Sequence, residues 1–133
     1  MKRFLVIACG VMAFGITMPA QDDADYHGWM KSVGATVGSL RKNLEAKDGD
    51  AASADAKKLQ EIFGHVHGYW LKKNVDDATK FASDAGDGFG AVADQAAAGK
   101  FDDASATLKT TSANCGGCHT AHREKTAGGF KIK

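Results

Sequence analysis

Proline is all but missing from this sequence. The single one is Pro19, so no ring interrupts residues 20–133 and long helices are free to form there. Cysteine is scarce as well. Of the three, Cys9 lies near the start, while Cys115 and Cys118 are separated by two residues. That excludes a framework of structural disulfides, which would tie together segments distant in sequence. Alternation of apolar and polar residues is absent, as is any repeat at a fixed period, which argues against a sheet protein and against an array of helix pairs. No charge sign dominates. With 17 basic and 16 acidic residues, nothing marks nucleic acid or an anionic membrane as the main partner.

Met1-Lys2-Arg3, an apolar stretch from Phe4 to Met18, and Pro19-Ala20 before Gln21-Asp22-Asp23 follow the order of a secretory signal peptide. The stretch contains Gly10, Gly15 and Thr17 and is shorter than the ~20 apolar residues of a membrane span. A lipoprotein signal through Val6-Ile7-Ala8-Cys9 would leave an apolar core of only a few residues. The sequence is therefore read as an export signal over residues 1–20, cleaved after Ala20, followed by one domain over residues 21–133 with a periplasmic location. Without Lys2 and Arg3 the mature chain is close to neutral.

Four stretches have helical period. The first, Asp25 to Lys47, spaces Trp29, Val33, Val37, Leu40 and Leu44 three or four residues apart, and ends in the turn signal Asp48-Gly49-Asp50. The second, Ala51 to Lys73, carries Leu59, Ile62, Phe63, Val66 and Trp70, with Asn74 in position to cap the next helix. The third, Val75 to Ala98, turns Ala78, Phe81, Ala85, Phe89, Val92 and Ala96 inward and stops at Gly99. The fourth, Phe101 to Lys125, brings Leu108, Thr111, Cys115, Cys118 and His122 near one face, with a loose tail at Gly128-Gly129-Phe130. Short connections between four helices predict an all-α, antiparallel up-down-up-down four-helix bundle. The small residues facing inward on the last two helices leave space that a large apolar cofactor would fill.

Cys115-Gly116-Gly117-Cys118-His119 fits the Cys-x-x-Cys-His signature of covalent haem attachment. Residues i, i+3 and i+4 share a helix face, so two thiols can bond the haem vinyl groups while the imidazole ligates iron. The intervening glycines leave the backbone open to close approach. A thioredoxin-like pair would belong near a βαβ pattern, which is missing. A zinc site would want a fourth ligand, usually from a second spaced pair.

In such a bundle the start of the first helix, the end of the second, the start of the third and the end of the fourth meet at one end. His119 and Met30 then lie at nearly one level, which makes Met30 the candidate sixth ligand beside a core-filling role. Trp29, Tyr69, Trp70 and Phe81 gather at the same end as candidate haem walls. His65 is about two turns away, His67 and His27 are expected to meet solvent, and His122 could flank the haem from the proximal side.

With these residues in view, the chain resembles the class II c-type cytochromes, the family of cytochrome c prime and its low-spin relatives. The likeness rests on the attachment motif closing the last helix, Cys115 to Lys125, and on Trp29-Met30-Lys31-Ser32-Val33-Gly34, which is similar to the place where low-spin members supply a methionine. The glycine-rich Asp84 to Gly90 and the His65-x-His67 pair depart from it. The resemblance implies a bundle with one haem c, Arg123 near a haem propionate, and His119 with Met30 on the iron. It implies a one-electron carrier rather than an enzyme, with transient redox protein partners. Five-coordinate members bind small gases such as NO and CO, and that is the alternative reading; self-association through the first two helices is left open.

Overall fold

The computed structural model describes residues 23–133, so the export-signal reading of residues 1–20 lies outside the described residues. Four helices follow one another: α1 (Asp23–Glu45), α2 (Gly49–Lys72), α3 (Asp76–Ala97) and α4 (Phe101–His122). A two-stranded antiparallel hairpin, β1 (Arg123–Thr126) and β2 (Gly129–Ile132), completes the chain. Among the described residues no helix is long and apolar enough to cross a membrane.

One device closes all three turns. Lys47, Asn74 and Gly99 take left-handed backbone conformations (φ 55°, 55° and 72°). In each case the next amide bonds back five residues, Asp48 to Asn43, Val75 to Trp70 and Lys100 to Gln95. This pairing satisfies carbonyls left open at a helix end and reverses the chain sharply, so consecutive helices run antiparallel. Asp48 then caps α2 by accepting from Ala51 N at 3.0 Å. The expected role of Asn74 as cap of α3 is corrected: its short side chain tolerates the left-handed position, so it ends α2, and Val75 starts α3 without a side-chain cap.

The core runs through Leu40, Leu59, Val66, Phe89 and Val92, all essentially inaccessible, with Phe63 stacked on Phe89 at 5.4 Å. Its stripe on α1 passes through Tyr26, Val33, Thr36, Leu40 and Leu44, with the expected Trp29 and Val37 half-buried beside it. The small residues of α3 and α4 behave differently from expectation too. They bring the helices together: a Cβ on Gly88 would overlap the Thr111 side chain. Much of the expected space is thus closed by helix approach; one room lies at one end of the bundle, and a second, of about 320 Å³, lies between α1 and α4 at Leu44 and Leu108.

Helix α4 stops at His122 rather than Lys125, and the tail expected to be loose is the hairpin. Arg123 is extended (φ −120°, ψ 133°), and Gly129 has φ 129°, which side-chain-bearing residues rarely adopt. The register pairs Arg123 with Ile132 and Thr126 with Gly129. Lys133 N ties the end back to His122 O at 2.9 Å.

Candidate functional site

A cavity of about 410 Å³ opens at the end of the bundle where α1 starts and α4 ends. That volume is within the range of ~300–1,000 Å³ usual for ligand pockets. Tyr26, Met30, Val33 and Gly34 line it from α1, Phe63 and Val66 from α2, and Phe81 and Ala82 from α3. Cys115, Cys118, His119 and His122 enter from α4; Arg123, Phe130, Lys131 and Ile132 close it from the hairpin. The structure therefore brings Cys115, Cys118, His119, Met30, Phe81 and Arg123 to one cavity.

Trp29, Tyr69 and Trp70 do not line it, which corrects their expected role as walls. Trp29 is half-buried against the core and stacks on His65 (5.4 Å, 15°), while its neighbour Met30 borders the cavity. Tyr69 and Trp70 are buried one layer behind. Trp70 packs against Tyr26 (5.6 Å) and His122 (5.1 Å), both on the cavity wall. Tyr69 donates to Asp23 Oδ1 at 2.5 Å. These aromatics buttress the wall instead of forming it.

Sequence reasoning missed Tyr26, Phe130, Lys131 and Ile132. Tyr26 could have been found, since it lies four residues before Met30 on the same helix face. The hairpin residues carried no such signal: each strand has only four residues.

The two thiols lie in the last two turns of α4, where the helix end is electronegative and disfavours anions. Burial pushes the Cys115 thiol up, and burial followed by the charges of Asp77 and Cys115 pushes Cys118 up to about 11. Both stay protonated at neutral pH, whereas a dithiol redox centre depends on a stabilised thiolate. Among the described residues no three His, Cys, Asp or Glu side chains converge as a metal-holding cluster. Cys115, Cys118 and His119 instead border the cavity from one helix, as a flat group spread over that helix would require.

Burial, then the Arg123 charge, lowers the pKa of His119, which favours the neutral imidazole that can act as a ligand. His122 bonds Asp77 Oδ2 at 2.9 Å, and that bond holds the Asp77 carboxyl below its usual range. Among the described residues the cavity wall holds Lys31, Arg123 and Lys131 but no acidic side chain, so a mostly apolar group with anionic edges suits it. Gly117 is already spoken for: a Cβ there would lie 2.8 Å from Phe81 Cε1, while Gly116 faces open space.

Comparison with protein-family models, curated proteins and solved structures finds no match to this chain.

Proposed function

We propose that this protein is an exported monohaem c-type cytochrome that carries single electrons in the periplasm. Cys115 and Cys118 would hold haem c covalently, and His119 and Met30 would ligate its iron. The observation that carries this reading is that both thiols, the His119 imidazole and the Met30 thioether border one cavity. Haem supplies a one-electron couple, and methionine with histidine as ligands raises its potential.

The remaining work belongs to the chain. Tyr26, Phe63, Val66 and Phe81 give the cavity an apolar interior that excludes water. Lys31 and Arg123 border the same cavity and would be the cations nearest the haem propionates. If His119 and Met30 both held the iron, substrate and gas would find no open site there, and the protein would act on other redox proteins through brief encounters. Such encounters bury little surface.

The test is the absorption spectrum of the purified mature protein, oxidised and reduced. A low-spin iron with the weak far-red methionine-to-iron band, lost in Met30→Ala, is expected, and carbon monoxide should leave the reduced spectrum of the unaltered protein unchanged. A high-spin iron that takes up carbon monoxide would instead make this a five-coordinate gas-binding protein.

A further inference from the structure

The C-terminal hairpin brings an exposed aromatic ring, a set of cations and the cavity mouth to one place. Phe130 is 49% exposed although it also borders the cavity. From residue 123 to 133 the chain carries Arg123, Lys125, Lys131 and Lys133 against the single acid Glu124. Glu124 is already paired with Lys131 at 3.2 Å. Lys125 lies across the ladder from Phe130, and both Lys125 and Lys133 are exposed.

Several acids of the neighbouring helix ends are engaged as well. Asp23 pairs with Tyr69 and Lys73, and Asp77 with His122. The turns and first helical turns are alike at the two ends, with Asp48, Asp50, Asp102 and Asp103 beside Lys47 and Lys100 at one and Asp23, Asp25, Asp76 and Asp77 beside Lys72 and Lys73 at the other, so the hairpin alone adds basic charge. The excess of basic charge is thus local to the hairpin.

We infer that the hairpin is the surface on which this protein meets its redox partner, and that the partner presents an acidic face there. The inference rests on the electron-carrier reading above. The local cluster of cations on the hairpin favours an acidic surface during approach. Phe130 supplies a small apolar centre within the basic rim, suited to contact without long residence. Its ring is capped by the Arg123 guanidinium at 4.0 Å, so the rim and the apolar centre form one rigid patch.

The experiment follows oxidation of the reduced haem protein by two one-electron reagents of opposite charge. In each, one electron leaves the haem iron(II) and no atom is transferred. Hexacyanoferrate(III) stands in for an acidic surface, and tris(phenanthroline)cobalt(III) is the cationic control. Lys125→Glu with Lys133→Glu should slow the anionic reagent about tenfold at low salt and speed the cationic one. Both effects should shrink above ~0.1 M salt, where the screening length is about 10 Å.

Lys57→Glu with Lys58→Glu makes the same change in net charge in the half of α2 nearer Gly49, and should leave both rates within about twofold. Equal slowing by the two pairs, or no slowing by either, would overturn the inference. So would hairpin-dependent binding to phosphatidylserine vesicles with unchanged hexacyanoferrate rates, which would assign the patch to a membrane surface. The underlying reading is judged separately. Absence of a haem spectrum or of a reversible one-electron couple in the unaltered protein sinks that reading and this inference with it; a normal couple with charge-insensitive rates sinks only the inference.

Discussion

Between the two thiols, Gly116 and Gly117 are not equivalent. Gly117 has Phe81 where its Cβ would go, 2.8 Å from Cε1, and Gly116 has nothing within 4 Å. Alanine in a helix gains roughly 1 kcal/mol over glycine, but overpacking costs about 1–3 kcal/mol. Thermal melts should therefore show Gly116→Ala unchanged or stabilised and Gly117→Ala destabilised. Tyr26 gives a pH test. Burial, then the charge of Cys118, pushes its hydroxyl up from 10.0 to about 12. Between those values the unfolded chain would be ionised and the folded one not, so the unfolded state binds fewer protons and stability falls as pH rises through that window. Two pKa units correspond to ~3 kcal/mol at most. Tyr26→Phe should flatten the decline between pH 10 and 12, and an equal decline in the variant would show that Tyr26 stays ionisable when folded. Cys115, Cys118 and His119 were legible as a group because their spacing sets them on one helix face, whereas Tyr26, one turn before the expected stripe of Trp29, Val33, Leu40 and Leu44, was left out of it.

The helices and their turns were readable from period and punctuation: Gly99 stops α3 and Asp48 caps α2 as expected. What the pattern could not give was the hairpin, whose eight strand residues include Arg123, Glu124, Lys125 and Lys131 and no alternating face. A two-stranded ribbon is marginal by itself. Here it is held by Ile132 packing on the core and by the tie from Lys133 to His122. Gly129→Ala forces an L-residue into φ 129° at a cost of about 1–3 kcal/mol. The expected result is fast amide exchange confined to Arg123–Ile132 with the main melting transition nearly unmoved. Loss of the whole bundle in this variant would mean that the hairpin is integral to the core.

At the scale of the molecule, the far half packs without help, through Leu40, Leu59, Phe89 and Val92, while the near half surrounds the cavity. A void of about 410 Å³, if closed and empty, would cost ~10 kcal/mol, as much as a typical domain's whole stability; water entering the mouth lessens this. Cys115→Ala with Cys118→Ala should therefore melt at a clearly lower temperature, with amides near the cavity exchanging freely and those around Leu59 and Val92 still protected. A cooperative melt at the same temperature as the haem-bearing protein would contradict the cofactor-filled cavity. The four-helix count was legible because each helix carries its own periodicity. The bundle end at which the cavity lies was legible from the helix order, but its extent was not, because Gly88 against Thr111 closes space that composition alone leaves open. The cavity takes Tyr26 and Met30 from near one end of the chain and Phe130 and Ile132 from near the other. A nascent chain has no such chamber until synthesis has passed residue 132, so on the reading proposed above the haem would find its finished chamber only after that point.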